Sequence, residues 1–218
     1  MPDTTWWSLS SALVAMEALA AGAFALSGLI EGARKRLDAV GVCVVAGLAA
    51  FGGGTLRDVL LDRRPFFWVE HVGWVWGLIV LCIAAMTFMR AQHQEPTERA
   101  MQWPDALGLG LFAANGTQIA LDASMPSIVA VLMGMVTAVF GGVLRDIVCN
   151  EIPTSLRDHR PYAICAFIGG WTLIAAEHAG APPGWGLVLG AATASGLRVA
   201  ALMTGYTLPR WSSGGDAA

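Results

Sequence analysis

Apolar residues along this chain fall into continuous blocks of roughly 20, separated by short connections that hold most of the charges. Seven blocks stand out: Leu9–Ile30, Ala39–Leu61, Val72–Arg90, Asp105–Leu121, Ser127–Cys149, Pro161–His178 and Gly184–Thr204. The apolar positions run on without alternating, which predicts helices rather than the strands of a barrel. At a rise of about 1.5 Å per residue, each block spans a hydrocarbon core of about 30 Å. The pattern predicts an all-α membrane protein with seven transmembrane helices in a single transmembrane domain. The longest connection, "RAQHQEPTERAMQWP" (Arg90–Pro104), divides the chain near its middle.

One phrase interrupts the pattern and is written twice. "FGGGTLRD" (Phe51–Asp58) returns as "FGGVLRD" (Phe140–Asp146). At a constant offset of 88 residues, without a gap, Gly53, Gly54, Leu56, Arg57 and Asp58 match Gly141, Gly142, Leu144, Arg145 and Asp146. Phe24 matches Phe112, Gly28 matches Gly116 and Pro65 matches Pro153. This is an internal duplication: repeat 1 covers about 9–90, repeat 2 about 105–178, and an additional helix follows at about 184–204. Each repeat holds an odd number of spans, so the second copy enters the membrane from the opposite face. The result is an inverted 3+3 repeat plus a seventh helix, an architecture whose functional site lies near the midplane on interrupted helices.

Composition supports the membrane assignment. The 218 residues are 56% hydrophobic and 13% charged, with a mean hydropathy of +0.59, whereas a soluble domain carries about 25% charged residues. The net charge of −3 gives no reason to expect a nucleic-acid partner. The leading flank "MPDTTWW" has an acid and no base, so the first block reads as a retained helix rather than a signal peptide. Cys43, Cys82, Cys149 and Cys165 lie in or beside apolar blocks without a CxxC pair and read as small buried hydrophobes. Trp6, Trp7, Trp68, Trp103, Trp185 and Trp211 fall near predicted helix ends, where an interfacial belt forms, while Trp76 and Trp171 read as packing residues. Arg34, Lys35, Arg36, Arg90, Arg99, Arg157, Arg160 and Arg210 share one side, against Arg63 and Arg64 on the other. The positive-inside rule then puts the N-terminus outside and the C-terminus in the cytoplasm.

The doubled phrase carries the candidate chemistry. A glycine in a helix interior costs about 1 kcal/mol relative to alanine. Gly52, Gly53 and Gly54 therefore predict a kink or break in the second span, and Gly141 and Gly142 the same in the fifth. Arg57, Asp58, Arg145 and Asp146 would together cost on the order of 10 kcal/mol if they faced lipid, so they must be paired, hydrated or near an interface. Neighbours in sequence do not face each other on a helix, which favours pairing across the two repeats. Ser27 and its mate Asn115 are candidates to line the same path, and Glu17 reads as a paired acid. His71 and His159 read as surface histidines. There is no P-loop ending, no HExxH, no GxSxG and no spacing that suits a metal, so neither an enzyme nor a bound cofactor is expected.

These twin phrases, the 3+3+1 spans and the length resemble the prokaryotic TRIC family of trimeric intracellular cation channels, which overlaps the bacterial UPF0126 family, also called glycine transporters. The resemblance covers roughly Leu9–Thr204. It implies a homotrimer in the inner membrane, with a pore inside each subunit that conducts K⁺ or Na⁺ between the glycine-kinked second and fifth helices. The basic pore position of the family maps to Arg145, with Arg57 as its mate. The second copy departs by one glycine, since Phe140 aligns with Gly52. The lysine-rich lipid-binding motif of the animal relatives is not evident. A secondary transporter for glycine or another small solute is the alternative, since inverted repeats and broken helices serve a carrier equally well. A non-transporting scaffold is the third reading.

Overall fold

The computed structural model describes residues 9–92, 97–157 and 159–209. Trp6, Trp7, Arg210 and Trp211 lie outside them. All regular structure among the described residues is helical: α1 (Leu9–Arg34), α2 (Ala39–Leu60), α3 (Phe67–Glu70), α4 (Val72–Gln92), α5 (Glu98–Asp122), α6 (Ser127–Val148), α7 (Thr154–Arg157), α8 (Ala163–His178) and α9 (Trp185–Thr204). The seven long helices occupy the seven apolar blocks, and the single turns α3 and α7 follow α2 and α6. Among the described residues, four helices, α1, α2, α6 and α9, are long and apolar enough to cross a membrane. The apolar parts of α4 and α8 are shorter, Val72–Phe88 and Ala163–His178. The helix α5 carries Glu98, Arg99, Asp105 and Asp122.

Local chemistry moves some boundaries. α5 starts at Glu98 rather than Asp105, because Thr97 caps it by accepting the Ala100 N–H at 3.2 Å, and Pro104 is accommodated inside the helix. α8 starts after Pro161, with Tyr162 at its N-cap. Trp76 and Trp171 are not packing residues: they are 65% and 38% exposed. α4 packs on one side only, against α1, α2 and α3, and Trp76 lies on the other. The buried face of α8 is Cys165, Ala166, Gly169, Gly170 and Leu173, which turns Trp171 outward.

The two halves share their local geometry. α2 and α6 have the same length, and both of their ends differ by 88 residues. Each of α1, α2, α5 and α6 is followed, two residues past its end, by a residue with left-handed φ: Arg36 and Asp62 in the first half, Ser124 and Asn150 at the same offset in the second. The core between the halves holds Phe24 and Phe112, stacked with centroids 5.6 Å apart and essentially fully buried.

The expected break in the second and fifth spans is absent: α2 is helical through Gly52–Gly54, and α6 through Gly141 and Gly142. The glycines allow the two backbones to touch instead. A Cβ on Gly53 would run into the Thr137 carbonyl, and one on Gly141 into the Ala49 carbonyl. This pairing, 53 with 137 and 49 with 141, makes the two helices antiparallel where they cross.

Candidate functional site

Arg57 and Arg145 sit three residues before the ends of α2 and α6, on opposite sides of that crossing. Both are essentially fully buried, at 0% and 1% exposure. Each is the hub of a polar centre built on one plan. Arg57 donates from Nε and Nη2 to Asp58 Oδ1 at 2.9 and 2.7 Å. Arg145 donates from Nε to Asp146 Oδ1 at 2.8 Å. The expectation that the charges would pair mainly across the two repeats is therefore corrected. The arginine side chain is long enough to fold back over the adjacent carboxylate, and burial leaves it few other acceptors.

The second carboxylate of each centre comes from the first helix of the same repeat. Glu17 on α1 lies 2.7 Å from Arg57 Nη1, without the alignment of a hydrogen bond. Asp105 on α5 takes a hydrogen bond from Arg145 Nη1 at 2.6 Å. Contact across the repeats exists, but it is made by neutral side chains rather than by the aspartates. Arg57 Nη1 donates to Asn115 of α5 at 3.1 Å, and Arg145 Nη1 donates to Ser27 of α1. The remaining oxygen of each aspartate caps the turn that follows. Asp58 Oδ2 accepts the Phe67 N–H at 2.9 Å, and Asp146 Oδ2 the Thr154 N–H at 2.7 Å.

Along α1, Glu17 and Ser27 serve different centres, and along α5 so do Asn115 and Asp105. Ten residues of helix separate each pair, so the two centres lie about 15 Å apart along the bundle. The Phe24–Phe112 stack belongs to the same two helices, between those positions. Of the glycines in the doubled phrase, Gly53 and Gly141 form the crossing. Gly52 faces Leu144, Gly54 the Phe67 ring, and Gly142 the Tyr162 hydroxyl, Asp105 and Arg145.

Three participants were missed in the sequence. Asp105 was available as the offset mate of Glu17, in the same way that Ser27 revealed Asn115. Tyr162 donates to Asp105 Oδ2 at 2.7 Å, and Arg198 of α9 lies over its ring at 4.7 Å while Nη1 donates to the Pro161 carbonyl at 3.0 Å. The offset mate of Tyr162 is Trp74, so repetition gave no clue to it, and α9 has no counterpart in the first half. Asp105 therefore has a partner that Glu17 lacks. His71 stacks on Trp74 with centroids 4.6 Å apart. His159 is exposed, and its carbonyl accepts the Leu208 N–H. The four cysteines are free thiols, three of them buried and Cys43 half-buried. No group of residues suited to hold a metal occurs among the described residues.

Comparison with known proteins places this site in context. A UPF0126 membrane protein of Vibrio cholerae is 33% identical over 165 residues, 74% of this chain and 66% of that protein. The UPF0126 inner membrane protein YadS of Escherichia coli is 37% identical over 151 residues, 67% of this chain and 70% of that protein. Among solved structures, the TRIC trimeric intracellular cation channel orthologue from Rhodobacter sphaeroides superposes with a TM-score of 0.81 at 34% identity, over 89% of this chain and 98% of that one. A second TRIC cation channel structure gives a TM-score of 0.79 at 31% identity, over 91% and 96%. The family model described as glycine transporter matches residues 14–92 and 102–178, which include both arginine centres apart from α9. On these matches the chain belongs to the UPF0126 family of membrane proteins, the family to which that model corresponds.

Proposed function

We propose that this protein is a monovalent cation channel for K⁺ or Na⁺. It spans the inner membrane with seven helices, as an inverted 3+3 repeat plus α9, with its C-terminus in the cytoplasm. It assembles as a homotrimer, and each subunit has its own path between α2 and α6. The observation that carries this reading is the likeness of nearly the whole chain to TRIC cation channels at 34% identity. The site is consistent with it. An arginine in a cation path looks unfavourable, but each centre sets one guanidinium against two carboxylates: Arg57 against Glu17 and Asp58, Arg145 against Asp105 and Asp146. The formal charge of the Arg145 triad is +1 − 2 = −1, which attracts a cation, whereas Arg63, 3.4 Å from Asp58, brings the sum at the Arg57 centre to zero. In this arrangement α2 and α6 touch at Gly53 and Gly141 and the buried Phe24–Phe112 stack lies between the centres, so conduction requires these contacts to open.

Two observations rank a glycine carrier second, despite the description of the family model. α2 and α6 are unbroken, so neither offers the half-helix N-terminus that would hold a substrate carboxylate. The formal charge of the Arg145 triad also repels that carboxylate. Single-channel recording of Arg145→Ala tests the proposal. The expected result is an altered conductance or open probability, with the trimer intact by chemical cross-linking. Currents identical to wild type would remove Arg145 from the mechanism.

A further inference from the structure

On the Arg145 side, charged residues at the helix ends form one chain of alternating ion pairs. Lys35, just after α1, contacts Glu151, just after α6. Glu151 pairs with Arg157 of α7 at 3.2 Å, and Arg157 reaches Glu98 at the start of α5 at 3.7 Å. Glu98 lies 3.8 Å from Arg34, whose Nε donates to the buried Glu31 at 2.9 Å. Six side chains thus tie the ends of α1, α5 and α6 to α7. The segment they hold is the one whose Thr154 N–H donates to Asp146, and Asp146 in turn holds Arg145. Between this α7 segment and Arg145 lies a narrow recess lined by Gly142, Thr154, Ser155 and Tyr162.

The opposite end has the same backbone plan but different fastenings. The α3 segment is capped by Asp58, which accepts the Phe67 N–H, and aromatic rings secure it. Phe51 packs on Phe67 and Trp68, and Phe67 packs on Trp74. The Phe67 ring also lies 5.4 Å from the Arg57 guanidinium, and Trp68 Nε1 donates to Thr55 at 3.0 Å. Beyond the Arg57 triad itself, the ion pair found there among the described residues joins Arg63 to Asp58.

The two fastenings respond differently to salt. Half-exposed ion pairs are screened as the Debye length falls from about 10 Å at 0.1 M to about 3 Å at 1 M. Packing of apolar rings is not weakened in this way. We propose that the ion chain is a salt-sensitive clamp on the α7 segment: it holds the segment over the Arg145 centre at low ionic strength and releases it as salt rises, while the α3 end stays closed. If the protein conducts K⁺, the permeant ion itself then loosens one end of the path. The clamp rests on the proposed function only for its role in conduction, and its test needs no ion flow.

Cys149 supplies the reporter, since it caps α6 beside the clamped segment and is 8% exposed. In protein carrying Cys43→Ala, Cys82→Ala and Cys165→Ala, the rate of Cys149 alkylation by a neutral maleimide is measured in detergent and normalised to the unfolded chain. Raising KCl from about 0.05 M to about 1 M is expected to speed labelling about three- to tenfold. Lys35→Met should give the fast rate already at low salt, and Lys35→Arg should restore the slow one, which a general loss of folding would not do. A Leu61→Cys reporter in the cysteine-free chain, at the offset mate of Cys149 just after α2, should show no comparable salt effect at the α3 end. A Cys149 rate that ignores both salt and Lys35→Met would overturn the clamp. So would equal salt dependence at the two ends. Silent bilayers alongside the expected labelling would refute the channel and leave the clamp standing.

Discussion

At the scale of single residues, the two centres look alike but are fastened unequally. Asp105 accepts aligned hydrogen bonds from Arg145 and Tyr162, whereas Glu17 is close to Arg57 without such alignment. Removing one partner of a buried pair costs about 3–5 kcal/mol because the other charge stays buried. Asp105→Ala and Glu17→Ala should therefore both destabilise the fold in equilibrium unfolding from detergent, Asp105→Ala by more because it also leaves the buried Tyr162 hydroxyl without its acceptor. Equal losses would contradict the assigned geometry. The glycines divide just as sharply. Gly53→Ala drives a Cβ into the Thr137 carbonyl and should cost about 1–3 kcal/mol. Gly22→Ala meets open space inside α1 and should stabilise by about 0.5–1 kcal/mol. The hub residues Arg57 and Arg145 were legible in the sequence because they are charged, doubled and set in apolar blocks. Tyr162 and Arg198 were not legible, because their role depends on α9 lying against α5 and α8, and no periodicity encodes that contact.

At the scale of elements, the α2–α6 crossing and the turns that follow it decide how the site is held. Three consecutive glycines suggested a break when judged by helix propensity alone. The helix persists because its own hydrogen bonds are kept and the missing Cβ atoms let α6 approach, a tertiary gain that propensity does not contain. The short turns α3 and α7 escaped the sequence reading because four residues leave no periodic trace. Their capping by Asp58 and Asp146 explains why each aspartate follows its arginine. The α7 turn also yields a prediction for acid. Lys35 holds the Glu151 carboxylate below its ordinary value, with smaller help from Arg157 and Arg34. A carboxylate lowered on folding stabilises the folded state above its unfolded value and stops doing so as pH falls through the folded one. The clamp should therefore be unaffected between pH 7 and about 5 and weaken below about 4, read as faster Cys149 labelling. A rate that rises between pH 7 and 5 would point to a group other than Glu151.

At the scale of the whole molecule, the apolar blocks made the seven long helices legible, and the offset of 88 residues runs through the bounds of α2 and α6, the left-handed residues that follow four helices, and the two arginine–aspartate pairs. What the sequence could not supply was the identity of the contacts between helices, since these depend on which faces meet. A purely structural role for the centres makes its own forecast. Joint replacement of Arg57, Asp58, Arg145 and Asp146 by neutral residues would then abolish folding without any specific effect on transport. The channel account expects variants such as Arg145→Ala to change currents in protein that remains folded and trimeric. The most direct measurement places purified wild-type protein in planar bilayers under a KCl gradient and then adds glycine. The account predicts unitary current steps that reverse near the K⁺ equilibrium potential and do not depend on glycine. Silent bilayers, together with saturable glycine uptake into liposomes of the same preparation, would contradict it and put the carrier in its place.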